Sequence, residues 1–412
     1  MIIDNREFQK ALPVLKKIET FGYQAYFVGG CIRDALLGLA SHDVDIATSA
    51  FPEEIQAIFP KHFDVGLEHG TVMAYFNGDT YEITTFRTES EYEDYRRPKE
   101  VTFVRSLEED LLRRDFTINA MAMGTEGQLI DYFQGQEDLK AGRLRAVGKA
   151  HDRFQEDALR MMRAVRFASQ LGFELETDTA QAIKESAPLL EKIAVERIET
   201  EMAKLWQGQH WQAGLTDFID LQLYRYCPLT ENGQASFQKM LDVLSPEQVF
   251  PSDTFAWAVY FFLAKCDLQF IDDFTRAWKM SNKQNRLIKE YFLALTARQE
   301  SQSAWTAQLL YRFGLNTAQT VENFIQREGQ AKSEFARHFP KGKAGQVEAI
   351  WEALPIHSRK DLALNGRDII ADLAPNDKRL IGQYLNQAEA AVVNEQCPNS
   401  KDDLLAYLKA NQ

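Results

Sequence analysis

The stretch YFVGGCIRDALLGLASHDVDIAT, residues 26–48, carries the strongest structural signal in this chain. Its pattern predicts a strand ending at Val28, a Gly29-Gly30 turn, a short helix from about Cys31 to Gly38, and a second strand carrying Asp43-Val44-Asp45. Side chains two residues apart on a strand project from the same face. We therefore expect the carboxylates of Asp43 and Asp45 to lie side by side, with Cα atoms roughly 6–7 Å apart.

The paired carboxylates and paired glycines suit a site for magnesium and phosphate. Two close carboxylates repel each other unless a cation lies between them, and Mg²⁺ takes oxygen ligands while leaving positions for phosphates. Asp43 and Asp45 are therefore the candidate catalytic residues and Mg²⁺ ligands. Gly30 would let the backbone approach a triphosphate, and Arg33 in the following helix would add charge-assisted hydrogen bonds. Together these features are typical of two-metal nucleotidyl transfer, although either motif alone is more often a turn.

The composition is that of an ordinary globular protein of 412 residues, long enough for two to four domains. The formal net charge of −13 alone argues against a nucleic-acid partner. Cationic residues nevertheless cluster at 96–99, 113–114, 140–149 and 160–166. The four cysteines form no C-x-x-C pair, and the sequence shows neither a secretory signal nor an apolar run long enough to span a bilayer. We expect a cytoplasmic protein with no membrane contact.

Hydrophobic periodicity divides the chain into a mixed first part and a helical remainder. Residues 4–21 have a helical period, and two β-rich runs, Thr71–Phe76 and Thr80–Arg87, flank the hairpin signal Asn77-Gly78-Asp79. From His151 onward the period stays helical. We therefore expect an α+β protein with an N-terminal head of mixed sheet and helices, followed by an all-helical neck, body and tail. The expected boundaries are 1–150, 151–210, 211–300 and 301–412.

Several segments resemble a known family. GGCIRD and DVDIAT are similar to the signature of polymerase-β-type nucleotidyltransferases. RRDFTINAMA (113–122), LIDYFQGQEDL (129–139) and EDALRMMRAVRF (156–167) resemble the bacterial class II tRNA nucleotidyltransferases, the CCA-adding enzymes. The resemblance is dense from about residue 22 to 170 and thinner beyond. It implies Mg²⁺-dependent, template-independent addition of C, C and A from CTP and ATP to the 3′ end of tRNA, with release of pyrophosphate.

The resemblance also implies roles for residues at the end of the head and in the neck. Arg114 matches a position that contacts the nucleotide's phosphates or sugar, while Asp115 and Asn119 orient the ribose or hold the local fold. Asp157 and Arg160, three residues apart, are expected on one helix face, and an ion pair between them on a solvated helix is the competing interpretation. Cytosine and adenine share an amino donor beside a ring-nitrogen acceptor, so Asp157 could accept from the amine while Arg160 donates to the ring nitrogen. Arg163 and Arg166 would complete this nucleotide-binding pocket.

Further expectations concern the loop and the tail. Residues Glu89–Lys99 are polar and resemble the family's flexible loop, which helps the enzyme pass from adding C to adding A. Glu82 is a candidate third acidic group, with an ordinary exposed carboxylate as the competing interpretation. The segments 362–370 and 397–401 resemble the tail region that grips the tRNA elbow, although cap and turn residues explain them equally well. A homodimer is the expected assembly.

Two other enzyme classes remain open from the sequence. A poly(A) polymerase shares the same head, but those enzymes tend to be basic, whereas the pI of this chain is near 5.2. A small-molecule nucleotidyltransferase would not need roughly 200 helical residues beyond the neck. A third possibility is a catalytically silent RNA-binding protein, which the intact D-x-D disfavours. None of the histidines beyond residue 200 is followed by Asp, which argues against an added HD-type phosphohydrolase domain.

Overall fold

The structure is a computed structural model that describes residues 4–40, 44–64, 69–89, 92–93, 97–98, 101–343 and 345–411. Two compact units divide the chain: residues 1–235 with 277–279, and residues 236–276 with 280–412. The first unit contains a mixed sheet followed by helices, and the described part of the second unit is built from helices. The α+β fold class is therefore confirmed.

The strands of the first unit are short, and seven of them form one mixed sheet in the order β11-β10-β1-β2-β5-β4-β3. β2 and β5 pair in parallel, whereas β1 pairs antiparallel with both β2 and β10. The strands are β1 Ala25–Val28, β2 Ile46–Thr48, β3 His62–Phe63, β4 Thr71–Phe76, β5 Asp79–Thr85, β6 Arg87–Glu89, β7 Tyr92–Glu93, β8 Arg97–Pro98, β9 Val101–Phe103, β10 Ala122–Met123, β11 Leu129–Ile130, β12 Arg143–Leu144 and β13 Glu174–Leu175.

The helices account for most of the remaining chain. They are α1 Arg6–Thr20, α2 Gly30–Leu36, α3 Pro52–Ile58, α4 Leu107–Leu112, α5 Gly135–Ala141, α6 Ala150–Glu156, α7 Leu159–Leu171, α8 Thr177–Ser186, α9 Val195–Trp206, α10 Trp211–Asp220, α11 Gln234–Val243, α12 Asp253–Ala264, α13 Leu268–Ala277, α14 Asn282–Glu300, α15 Ala307–Gln330, α16 Gln346–Ala353, α17 Gly366–Leu373, α18 Lys378–Val393 and α19 Lys401–Ala410. No helix in the described ranges is long and apolar enough to cross a membrane.

Both faces of the seven-stranded sheet are covered. Because side chains alternate along a strand, Phe27 enters a core shared with α1, whereas the adjacent Val28 enters a second core that includes Leu107 and Leu111 of α4. The predicted β4–β5 hairpin is confirmed, and its turn residues Asn77 and Gly78 have φ values of 52° and 95°. The sheet is therefore a fixed support for the ends of β1 and β2.

The described helices of each unit pack through apolar faces. In the first unit α7 packs against both α9 and α10, and Gly214 allows the closest approach because a Cβ there would lie 2.5 Å from the carbonyl oxygen of Val165. In the second unit α14 packs against α12 and α15. Trp257 of α12 is buried there and packs against the ring of Phe274.

Candidate functional site

The glycine turn after β1 brings a carboxylate and a guanidinium close to the backbone. Gly29 has φ 78° and caps α2. A Cβ on this residue would lie 2.7 Å from Nη1 of Arg114 and 3.8 Å from Oδ2 of Asp45. Glycine is therefore needed here both for its positive φ and for the room it leaves. The next residue, Gly30, begins α2.

Asp45 lies just before a strand and lines a cavity. β2 begins at Ile46, so Asp45 is not in the strand, contrary to our expectation, although its carbonyl accepts a hydrogen bond from the Val28 N–H at 3.1 Å. Its side chain is exposed. Asp43 lies outside the described residues, so the expected pairing of the two carboxylates is not tested.

Glu82 approaches the same cavity from the neighbouring strand. β2 and β5 pair in parallel with Ile46 opposite Ile83, which puts the preceding residues, Asp45 and Glu82, at the same level. Both line a cavity of about 490 Å³. The described residues include no group of three His, Cys, Asp or Glu side chains suited to hold a metal ion. Exposed carboxylates beside an open cavity nevertheless match the oxygen ligands that Mg²⁺ requires.

Arg33 joins the glycine turn to the segment that follows α4. Its Nη1 donates to Oδ1 of Asn119 at 2.6 Å, and its Nε donates to Asp34 at 2.8 Å. The guanidinium also lies 5.0 Å from the ring centroid of Phe167 on α7. Arg33 is therefore held between the head and the neck helix.

Arg114 is positioned by a buried carboxylate that sequence reasoning did not identify. Asp110 of α4 accepts from Arg113 at 2.8 Å and from Arg114 at 3.3 Å, and it also accepts the backbone N–H of Arg87 at 3.3 Å. Burial alone would raise the pKa of Asp110, but Arg113 and Arg114 hold it below its ordinary value. Asp110 thus links Arg114 to Arg87, the first residue of β6.

Asp115 and Asn119 form the centre of a hydrogen-bond network. Asp115 is 7% exposed. Its Oδ1 accepts from the Asn119 amide at 3.0 Å and its Oδ2 accepts from Nε of Arg163 at 2.7 Å. Burial opposes ionisation, yet Arg163 and then Asn119 hold the pKa of Asp115 well below its ordinary value. Asn119 therefore connects Arg33 to the Asp115–Arg163 ion pair.

Arg163 and Arg166 share one aromatic surface. Their guanidinium carbons lie 5.4 and 3.8 Å from the ring centroid of Phe167. Arg166 also forms an ion pair with Glu201 of α9 at 2.5 Å. Burial lowers the pKa of Arg166 to about 10 despite this partner. The Arg166 side chain is therefore held in the neck by contacts with the Phe167 ring and with Glu201 of α9.

The neck helix is interrupted at Asp157, which corrects the expectation that Asp157 and Arg160 lie on one helix face. α6 ends at Glu156, Asp157 has φ −138° and ψ 102°, and α7 starts at Leu159. The physical cause is side-chain capping: the Asp157 carboxylate accepts the Leu159 N–H at 3.0 Å, an alternative to a continuous helix.

The side chains of Asp157 and Arg160 each bind another residue, and the two residues contact each other through a backbone hydrogen bond from the Arg160 N–H to the Asp157 carbonyl at 3.0 Å. Both terminal nitrogens of Arg197 on α9 donate to the Asp157 carboxylate, at 3.2 and 2.7 Å. Arg160 donates to Glu156 at 2.8 Å and to the carbonyl of Arg113 at 2.8 Å. Sequence reasoning missed Arg197 because it lies 40 positions from its partner. The spacing of four between Glu156 and Arg160, like that between Asp110 and Arg114, is a local signal that could have been recognised.

The predicted loop over 89–99 is described only in part. Residues 92–93 and 97–98 form the antiparallel pair β7–β8, and the rest of the central loop lies outside the described residues. At its base β6 pairs with β9, with Arg87 opposite Phe103.

Three family models and several known proteins match this chain. The family model described as "Poly A polymerase head domain" matches residues 25–145, "Probable RNA and SrmB- binding site of polymerase A" matches 172–234, and "tRNA nucleotidyltransferase domain 2 putative" matches 248–408. The CCA-adding enzyme of Limosilactobacillus reuteri (strain DSM 20016) is 46% identical over 97% of this chain and 95% of the relative. That of Ligilactobacillus salivarius (strain UCC118) is 44% identical over 99% of this chain and 98% of the relative.

A solved structure matches as well. The crystal structure of the Bacillus stearothermophilus CCA-adding enzyme in complex with CTP has a TM-score of 0.86 and 39% identity, and covers 99% of this chain and 98% of that one. The chain belongs to the CCA-adding enzyme family. The resemblance noted in the sequence is thereby confirmed. Because the match to CCA-adding enzymes spans the helical half as well as the head, it is more specific than a match to the head alone, which poly(A) polymerases share.

Proposed function

We propose that this CCA-adding enzyme, a tRNA nucleotidyltransferase, adds C, C and A in sequence to the 3′ end of tRNA without a nucleic-acid template. In each step the tRNA 3′ hydroxyl loses its proton and attacks the α-phosphorus of CTP or ATP. The bond from that phosphorus to the β-phosphate oxygen breaks, and pyrophosphate leaves. The full-length similarity to CCA-adding enzymes, including one solved with CTP, is the observation that carries this proposal.

The head is proposed to hold the reacting groups. Asp43 and Asp45 would bind Mg²⁺, with Glu82 as a neighbouring acidic group. A bound Mg²⁺ would lower the pKa of the attacking hydroxyl and neutralise the leaving pyrophosphate. Gly30, Arg33 and Arg114 would hold the triphosphate and sugar. The closeness of Asp45 and Arg114 to the same glycine supports this division of roles.

The neck is proposed to select the base. Asp157 would accept a hydrogen bond from the exocyclic amine of C or A, and Arg160 would donate to the adjacent ring nitrogen. Uracil and guanine present a carbonyl where the amine is expected, so the carboxylate would face an acceptor. Arg163 and Arg166 would complete the pocket wall. The existing hydrogen bonds of Asp157 and Arg160 support this role because both groups are already oriented.

The remaining assignments are proposals as well. The head is proposed to end near residue 150, the neck near 210 and the body near 300, with residues 301–412 as the tRNA-binding tail. The start of α6 at Ala150 supports the first of these boundaries. We propose a homodimer. Because bacterial tRNA and nucleoside triphosphates are cytoplasmic, we propose the cytoplasm as the location.

A primer-extension experiment tests the proposed reaction. Transcribed tRNA trimmed of its 3′ end is incubated with the enzyme, Mg²⁺ and each nucleotide singly and together, and the added mass is measured. We expect exactly the mass of C, C and A when both CTP and ATP are present. Long adenylate tails would instead indicate a poly(A) polymerase, and no extension would reject nucleotidyl transfer to tRNA.

A substitution tests base selection separately from chemistry. Arg160→Ala should lower the CTP preference over UTP by about 10- to 100-fold, because the donor to the ring nitrogen is lost, while kcat with CTP falls less. Single-turnover kinetics with each nucleotide give the two values of kcat/KM. Arg225→Ala removes an exposed arginine of the same unit and serves as the control. Unchanged selectivity in Arg160→Ala would remove the proposed role.

A further inference from the structure

Arg197 is the residue that holds the proposed base-selecting carboxylate. It lies in the first turn of α9, and its Nη1 and Nη2 donate to Oδ1 and Oδ2 of Asp157 at 3.2 and 2.7 Å. We propose that Arg197 is a positioning residue that sets base specificity by fixing the plane of the Asp157 carboxylate. This inference rests on the proposed function, since it requires Asp157 to contact the base.

The backbone at Asp157 explains why its carboxylate needs an external support. The residue is in an extended conformation between α6 and α7, so no helical neighbour restricts its side chain. The Leu159 N–H binds Oδ1 alone, and one hydrogen bond leaves the carboxylate able to rotate. The planar guanidinium of Arg197 contacts both oxygens and removes that freedom.

The same contacts indicate which oxygen would meet the base. Oδ1 accepts two hydrogen bonds, from Leu159 and Arg197, whereas Oδ2 accepts one, from Arg197. A carboxylate has about two acceptor positions on each oxygen. Among the described residues, Oδ2 therefore keeps an acceptor position, and Asp157 can bind an amine without losing Arg197. The arginine thus orients the carboxylate and does not compete with the nucleotide.

A purely structural ion pair is the competing explanation. α9 packs on α7, and Ile198 and Met202 of α9 are 1% and 0% exposed, so the helix has buried apolar residues besides Arg197 to hold it in place. The side chains of Arg197 and Asp157 are 28% and 18% exposed, so a ligand can approach the pair. Arg160 is fixed independently by Glu156 and by the Arg113 carbonyl. Both proposed base contacts are therefore oriented beforehand, which lowers the ordering cost of binding.

Selectivity measurements on the full-length enzyme with trimmed tRNA test this inference. In Arg197→Gln we expect the ratio of kcat/KM for CTP to that for UTP to fall about tenfold, mainly through a higher KM for CTP. Arg197→Lys keeps the charge but not the two parallel hydrogen bonds, so its ratio should also fall. Lys204→Gln removes the same charge from an exposed position on the same helix and should leave the ratio unchanged. Thermal unfolding verifies that each variant is folded. If Arg197→Gln does not fold, Arg197→Lys still tests the inference.

A double-mutant cycle separates positioning from a general effect. If Arg197 acts through Asp157, the double variant Asp157→Ala/Arg197→Gln should have the selectivity of Asp157→Ala alone. Additive losses, or an unchanged ratio in both folded Arg197 variants, would overturn the inference. If Asp157→Ala itself leaves the ratio unchanged, the proposed base selection fails and the inference with it. If Asp157→Ala lowers the ratio and the Arg197 variants do not, only the inference fails.

Discussion

Two aspartates of the first unit, Asp45 and Asp115, have the same side chain in opposite surroundings. Asp45 is exposed and lines a cavity of about 490 Å³. Asp115 is 7% exposed, and its oxygens are bonded to Asn119, Arg163 and the Phe116 N–H. The exposed carboxylate of Asp45 is accessible to a cation and to substrate. The buried carboxylate of Asp115 instead holds neighbouring groups in place through its hydrogen bonds. Burial therefore separates the proposed reacting part of the head from the part that holds neighbouring side chains in place.

Removing the exposed carboxylate should have the largest effect on rate. Asp45→Ala should lower single-turnover incorporation of CTP by about 10⁴-fold or more, because a proposed metal ligand is lost. The melting temperature and the affinity for tRNA should change little, since Asp45 is exposed. Asp79→Ala removes another exposed carboxylate from the same cavity and should retain most activity. Persistent incorporation by Asp45→Ala would contradict the metal assignment.

Removing the buried carboxylate should instead lower stability first. Asp115→Asn leaves Arg163 without its charged partner, and we expect the free energy of unfolding to fall by about 2 kcal/mol. Activity should fall less than in Asp45→Ala. Urea unfolding followed by circular dichroism measures the change. A variant as stable as the wild type would show that the ion pair has no net stabilising effect.

The same carboxylate predicts a pH dependence of stability. The pKa of Asp115 is depressed in the folded state. Its contribution to the free energy of unfolding is therefore fully present above the unfolded pKa of about 3.9 and is lost as the pH falls toward the folded pKa. Between about pH 4 and pH 3 the free energy of unfolding of the wild type should therefore fall by about 1 kcal/mol more than that of Asp115→Asn. Urea unfolding of both proteins at several pH values tests this difference. If the free energies of unfolding of the two proteins changed equally with pH, the prediction would be wrong.

The smallest effect on rate is expected at the glycine turn between these regions. In Gly29→Ala the added Cβ would approach Nη1 of Arg114 to 2.7 Å at a φ of 78°. We expect kcat/KM for CTP to fall about tenfold, because the end of a flexible arginine can move, with a stability loss of about 1 kcal/mol. Gly22→Ala is a matched control, since Gly22 also has positive φ but no atom within 4 Å of the added Cβ.

The sequence was sufficient for the features that depend on local patterns. The helical period over 4–21, the Asn77-Gly78 hairpin and the strand before the paired glycines all correspond to elements of the structure. Each depends on residues a few positions apart, for which side-chain periodicity and turn chemistry are reliable guides. The resemblance to CCA-adding enzymes added candidate site residues that no pattern in the chain would have identified.

The sequence alone did not predict which side chains pair with residues far away in the chain. Asp157 was expected on a helix because the hydrophobic period is helical from His151 onward, but its carboxylate caps α7 and interrupts the helix. The Asp157–Arg197 and Glu201–Arg166 pairs depend on where the helices pack, whereas the Asp110–Arg114 contact joins residues only four positions apart. The clustered arginines 113, 114, 160, 163 and 166 were therefore correctly noted as charges, but their carboxylate partners were not foreseen.

The amide of Asn119 has a consequence for chemical ageing. Its oxygen accepts from Arg33 and its nitrogen donates to Asp115, so the two ends of one side chain serve partners of opposite charge. Deamidation to aspartate would replace the donor with a second anion against Asp115. A single spontaneous hydrolysis would thus remove the bridge from Arg33 to the Asp115–Arg163 ion pair without any change in the encoded sequence, and the burial of Asn119 at 6% exposure shields it from that reaction.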